Sequence, residues 1–386
     1  MIWVVDEIMG SGKTNSTIQM INLKKNERYI YVTPYLSEVQ RIKDRCSFEE
    51  PESRYDKETG TVTKIGGMKK LVRKGKNVVT THALIGNFTE GLLREIKDKD
   101  YTLIMDECLE VVKEYDRLSE GDKYILLNYL TDRDEENRLV WRDGKEYKDF
   151  YYEPEMRLCK SKQLVMYGNN VLIKMFNIEV LKVFSDVYIL TYMFKGQMLR
   201  YYLEYYGMEY KYKKIVKKKL VKDIRELINI CDDAKLNAIG EESLSMTWYN
   251  KNGGKIEILR KNLNTYLRSQ QKGKSGECMW TTFMDYQEDL KGYKGDFVPL
   301  NKIATNEYRD RTKLAYLVNI YMNPYIKNFF SAYVEKVDED AYALSILLQW
   351  IWRSAIRDGK EINLYLPSKR MRRLLNDWLA NLYILK

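Results

Sequence analysis

Val5-Asp6-Glu7-Ile8-Met9-Gly10-Ser11-Gly12-Lys13-Thr14 decides how the N-terminal half of this chain is read. Upstream, residues 2–5 form an apolar run of strand length, and downstream residues 15–23 read as a helix. Strand, tight glycine turn and Lys-Thr opening a helix together make a phosphate cradle. The glycines let backbone N–H groups close on a β-phosphate, Lys13 reaches the β and γ oxygens, and the Thr14 hydroxyl can ligate Mg2+. The longer form of this pattern carries a small residue five places before Gly12; here that place holds Glu7, so the match is to the Gly-x-Gly-Lys-Thr core. Gly10, Ser11, Gly12, Lys13 and Thr14 are the expected nucleotide-binding residues.

With 386 residues the chain is long enough for two domains with separate cores. Its 45% hydrophobic and 31% charged content is that of globular material. No run approaches the ~18–20 apolar residues of a membrane span, and no signal-peptide pattern leads the sequence. The cysteines at 46, 108, 159, 231 and 278 never form Cys-x-x-Cys, and His82 is the only histidine. No zinc site is expected, most enzymes built on a histidine base are set aside, and a reducing cytoplasm (that of the host, if the protein is viral) fits the scattered thiols. The net charge of +10 suggests a polyanionic partner.

Further strands are expected at 29–33, 78–81, 101–105 and 187–191, with helices between them, one capped by Ser37. Such alternation implies a parallel sheet whose ligands lie beyond the carboxyl ends of the strands. The glycine loop, Thr33-Pro34, Thr81-His82 and Asp106-Glu107 each follow a strand and would gather on one edge. Asp106, at the end of a buried strand, is expected to hold Mg2+, and Glu107 to orient or deprotonate an attacking water. Residues 120–170 read as an insertion, with a hairpin around Asp143-Gly144.

Tyr201, Tyr202, Tyr205, Tyr206 and Tyr210 precede Lys211, Lys213, Lys214, Lys217, Lys218 and Lys219. Base stacking beside a phosphate-tracking strip, or ordinary packing beside a solvated edge, would each account for this composition. The boundary is placed here: a first domain over 1–210, a basic linker over 211–222 and a second domain over 223–386. In the second half, strands are expected at 278–283, 297–300 and 362–366, and helices at 256–267, 311–322, 341–356 and 368–382. Gln349, Arg353 and Arg357 recur every four residues, so the expected helix would carry all three on one face.

These residues resemble a superfamily 2 helicase of the compact, DExx-box kind found in bacteriophages. Gly10–Thr14 resembles motif I, Thr33-Pro34 motif Ia, Asp106-Glu107 motif II, Leu190-Thr191 motif III and Gln349-x-x-x-Arg353-x-x-x-Arg357 motif VI. More loosely, Trp280-Thr-Thr-Phe283 sits at motif IV and Ala304-Thr305-Asn306 at motif V. Cys108 stands where the family usually has Ala, and motif VI lacks its glycine. The resemblance implies an α/β fold of two tandem RecA-like domains with parallel sheets, ATP and Mg2+ as cofactors, and a single-stranded or forked nucleic acid as partner, DNA ahead of RNA. It also implies that Gln349, Arg353 and Arg357 join Glu107 in catalysis. Thr33, Thr81, His82, Thr191, Thr282, Thr305 and Asn306 would grip the strand.

The expectation is therefore an ATP-hydrolysing motor, with replication or recombination proteins as possible associates and no membrane. A P-loop nucleoside kinase, a packaging-type ATPase and an ATP-binding scaffold that unwinds nothing are the alternatives.

Overall fold

The computed structural model describes residues 1–58, 60–142, 150–168, 170–214, 224–241, 243–292, 295–300 and 307–382. The chain divides into two compact units. One comprises Met1–Glu7, Lys13–Ile215 and Asn323–Val337; the other comprises Ile8–Gly12, Val216–Met322 and Asp338–Lys386. Among the described residues no helix is long and apolar enough to cross a membrane.

The first unit is built on six strands in the order Tyr210–Tyr212, Ile2–Asp6, Val187–Thr191, Tyr101–Asp106, Arg28–Thr33, Val78–Thr81. Every neighbouring pair is parallel. The five expected strands are all present, and Tyr210–Tyr212 adds an edge strand. Residues of both pleats are buried along Val187–Thr191 because both faces of a parallel sheet are covered. On one face the helices Lys13–Leu23 and Leu36–Arg45 pack Ile18, Ile21, Val39 and Ile42 against Tyr29, Tyr31, Ile104 and Leu190. The second of these helices starts earlier than expected: Tyr35 is its N-cap, and Ser37 lies inside.

The insertion has an apolar cluster of its own, including Leu118, Leu126, Leu130, Leu139, Tyr152 and Leu164. Val171–Met175 runs antiparallel between Leu164–Tyr167 and Val112–Glu114. The expected hairpin is corrected in part: Leu139–Trp141 pairs upstream with Thr131–Arg133, and Asp143 and Gly144 lie outside the described residues. A fully buried Glu155 is satisfied by the Arg117 fork at 2.7 and 2.6 Å and by the Tyr115 hydroxyl.

The tyrosine run resolves in favour of packing. Tyr201 and Tyr202 are buried, and the helix Pro324–Ser331 brings Phe329 to 5.2 Å from Tyr205 and Phe330 to 6.1 Å from Tyr201, centroid to centroid. Asn323 donates to Glu114 at 2.8 Å, and residues 323–337, expected in the second domain, group with the first unit. Lys213 donates to the Tyr188 hydroxyl at 3.0 Å and sits over the Trp3 ring. Lys217, Lys218 and Lys219 lie outside the described residues, as does most of the expected linker.

The second unit carries five parallel strands in the order Ile228–Ile230, Ile362–Tyr365, Lys313–Tyr316, Cys278–Thr281, Asp296–Phe297. The helix expected over 311–322 is overturned: its start is the central strand Lys313–Tyr316. Leu314, Ala315, Tyr316, Leu317 and Val318 are buried consecutively, as a strand covered on both faces requires. In so short an apolar run, periodicity alone does not separate strand from helix. The last helix, Lys369–Asn381, starts as expected, with Ser368 accepting from the Met371 N–H.

Candidate functional site

Gly10 and Gly12 adopt φ of 78° and 95°. Side chains disfavour that left-handed region, so both glycines are needed for the turn itself. The turn is closed by the Ser11 N–H, which donates to the Ile8 carbonyl at 3.2 Å. The helix begins at Lys13, directly after the loop, and the dipole at a helix N-terminus favours an anion. Lys13 is only 8% exposed, and its ammonium donates to the Glu7 carbonyl at 2.5 Å. Burial lowers the pKa of Lys13, while the charges of Glu107, Asp106, Asp6 and Glu7 oppose that shift, Glu107 most strongly. The ammonium thus stands among carboxylates.

Asp106 is where the elements meet. It ends the strand Tyr101–Asp106, and its carboxylate accepts from the Thr14 hydroxyl at 3.3 and 3.5 Å and from the Tyr31 hydroxyl at 2.8 Å. Desolvation raises its pKa above the ordinary carboxylate value against those two hydrogen bonds and the Lys13 charge. Its carbonyl lies 3.0 Å from Nε2 of His82. Because a carbonyl only accepts, Nε2 carries the proton, and burial holds the ring neutral by lowering its pKa to about 4. Glu107 follows at φ 69°, a backbone region that costs a non-glycine residue about 1–3 kcal/mol, and its N–H donates to Leu190 at 3.0 Å. Burial pushes the Cys108 thiol up to about 12, and it donates to the Thr191 hydroxyl.

Two residues that no motif marks also belong to the site. Tyr31 is one. Asp6 is the other: its Oδ2 accepts from the Phe194 N–H at 3.0 Å, tying the first strand to the segment after Thr191, and burial raises its pKa. The signals available were the position of Asp6 at a strand end and the shared pleat of Tyr29 and Tyr31.

The expected strand-gripping residues separate. Thr33, Thr191 and Thr282 are buried, with Thr282 donating to the Tyr249 hydroxyl at 3.2 Å, so these three side chains present no surface to an outside strand. Thr81 is half-buried as the N-cap of the helix His82–Ile85. Thr305 and Asn306 lie outside the described residues.

In the second unit the shared helical face is corrected. The helix Glu339–Ile351 ends before Arg353, and Arg357 lies in the separate 3-10 turn Ala355–Asp358. Tertiary pairing draws the chain out of the helix. Ala355 N–H donates to the Arg311 carbonyl at 3.0 Å, Trp350 Nε1 to Val298 at 2.9 Å, and the Arg353 guanidinium to Pro299 and Leu300 at 2.8 and 3.0 Å. Arg353 is 4% exposed and holds the 298–300 segment, whereas Arg357 and Gln349 are half-buried. The neighbour of Arg357, Asp358, is engaged by Arg309.

The chain is 38% identical over 407 residues to the SPbeta prophage-derived uncharacterized protein YonV of Bacillus subtilis (strain 168), spanning 98% of both proteins. It belongs to the YonV family. The model of the YonV C-terminal Rossmann-like domain matches residues 222–379. Among solved structures, that of S. tokodaii Xpd4 is similar with a TM-score of 0.53, covering 98% of this chain and 94% of that one at 12% identity. A likeness at that identity speaks for fold alone: this YonV-family chain has an α/β fold of two RecA-like domains with parallel sheets.

Two outcomes follow for the residues placed here. Arg353→Ala leaves two carbonyls without their donor and should destabilise the protein by roughly 3 kcal/mol, read as a lowered midpoint in urea. In the metal-free protein the Hε1 resonance of the sole histidine should hold its neutral position from pH 7.5 to 5.5. Because the folded pKa of His82 lies below its unfolded value, the unfolded state takes the proton first, and stability falls by up to about 3 kcal/mol as pH drops from about 6.5 to 4. A resonance that titrates near 6.5 would contradict this placement.

Proposed function

We propose that the chain is an ATP-dependent nucleic-acid motor of superfamily 2 type, a DExx-box ATPase that tracks a single strand, DNA ahead of RNA. The observation that carries this reading is the convergence of the Thr14 hydroxyl on the Asp106 carboxylate, at 3.3 and 3.5 Å, beside a glycine turn and a helix N-terminus. A hydroxyl and a carboxylate are hard oxygen donors that suit Mg2+, which keeps waters and substrate phosphates as its other ligands. Among the described residues no group of three or more His, Cys, Asp or Glu side chains could hold a metal by protein ligands alone. One hydroxyl and one carboxylate are a partial ligand set that fits a metal brought in with nucleotide.

When bound, ATP with Mg2+ supplies the phosphoanhydride bond to be cleaved. Gly10–Thr14 would hold the phosphates, with Lys13 leaving the Glu7 carbonyl for the γ oxygens. Glu107 would orient the attacking water. The second unit would contribute Gln349 and Arg357. Arg357 is favoured over Arg353 as the charge on the γ-phosphate, because Arg353 is committed to the 299 and 300 carbonyls. Such an arginine is worth about 10³–10⁵ in rate. With Thr33, Thr191 and Thr282 buried, contact with the strand would fall to backbone N–H groups at the strand ends and to Thr81.

The test is ATP turnover measured side by side with single-stranded DNA, duplex DNA and RNA. Stimulation by single strands is expected, greatest with DNA, with binding that weakens steeply as salt rises. Lys13→Ala should lower turnover by about 10²-fold or more while circular dichroism is retained. Arg357→Ala should lower kcat by about 10³-fold with nucleotide binding kept. Normal hydrolysis by Lys13→Ala would overturn the assignment.

A further inference from the structure

Tyr31 lies in the strand Arg28–Thr33, is fully buried, and belongs to none of the sequence motifs. Its register partner on the neighbouring parallel strand is Ile104, so Asp106, two residues further on, shares its pleat. The phenol thus runs along the sheet face, and its hydroxyl donates to Oδ2 of Asp106 at 2.8 Å. Tyr29, on the same pleat two residues earlier, points its hydroxyl elsewhere, to Glu27 at 2.6 Å. Only one tyrosine of this pair serves the site.

A carboxylate at a strand end rotates about its side-chain bonds unless a neighbour fixes it. The Thr14 hydroxyl lies 3.3 Å from Oδ2 and 3.5 Å from Oδ1, so the phenol at 2.8 Å is the shortest tie on the carboxylate, and Oδ1 and the Thr14 hydroxyl are the oxygens a cation could share. We propose that Tyr31 is a positioning residue for divalent metal: its hydroxyl locks the Asp106 carboxylate in the orientation that presents Oδ1, with Thr14, to nucleotide-bound Mg2+. This rests on the nucleotide site proposed above. Hydrogen-bond partners of metal ligands contribute about 10–100-fold to metal affinity.

The experiment compares wild type, Tyr31→Phe and Tyr29→Phe in binding a non-hydrolysable ATP analogue across a Mg2+ titration and in EDTA. Phenylalanine keeps the ring that packs edge-on against Phe48 and removes only the hydroxyl. For Tyr31→Phe the Mg2+ concentration at half-maximal binding should rise about ten-fold, while affinity in EDTA is unchanged and Tyr29→Phe behaves as wild type. An unshifted Mg2+ titration in Tyr31→Phe, with wild type clearly metal-dependent, overturns the proposal and leaves the nucleotide site standing. Equal losses with and without metal, or loss of fold by circular dichroism, would make the hydroxyl a structural element and also overturn it. Analogue binding by wild type that ignores Mg2+ would defeat the reading of the site itself, and this proposal with it.

Discussion

The constraint on which the first unit depends is the need to satisfy one desolvated carboxylate. Asp106 sits where burial raises its pKa, and an unpartnered charge in such a place is costly. Its side-chain partners come from two separate places in the chain, Thr14 from the first helix and Tyr31 from the adjacent strand, while His82, from the helix after Val78–Thr81, meets the backbone carbonyl of the same residue. None can reach it unless the sheet is in register, Tyr31 beside Ile104 and Thr33 beside Thr81. The hydrogen bonds that hold the carboxylate are therefore also a check on strand order. The same geometry leaves Lys13 among carboxylates at a helix N-terminus, an arrangement that a polyphosphate with its metal would relax.

The second unit uses a positive charge for architecture. Buried arginine is tolerated where its donors meet carbonyls that would otherwise lack partners, and Arg353 does this for Pro299 and Leu300. The cost is an interrupted helix, since the backbone at 355 pairs with Arg311 rather than with its own preceding turn. Two arginines four residues apart thereby acquire different environments, one sealed in the core and one half-exposed. A four-residue spacing places side chains on one face only while the helix continues.

Much of the first sheet was legible because each of its early strands is a short run dominated by apolar and β-branched residues that ends in a polar or turn-forming residue. The glycine loop and Asp106-Glu107 were legible for the same reason: they follow such strands directly. What escaped the sequence was set by tertiary contact. Lys313–Tyr316 is as apolar as a buried helix, and only its place between two other strands distinguishes it. Thr33 and Thr191 sit at strand ends, as a grip on nucleic acid would want, yet the layers above and below the sheet enclose their side chains. Tyr31 looks like any core tyrosine until the register aligns it with Asp106. Lys217, Lys218, Lys219, Thr305 and Asn306 lie outside the described residues, so their part rests on the sequence alone.

The central claim is that a nucleotide with Mg2+ binds at the glycine turn and is read out through Asp106. Amide hydrogen exchange of the wild-type chain, with and without ATP and Mg2+, tests this most directly. Protection is predicted to concentrate in residues 10–14 and 104–107 and to require the metal for its full extent. Saturating nucleotide that leaves those amides exchanging at their ligand-free rates, or protects only segments away from them, would contradict the account.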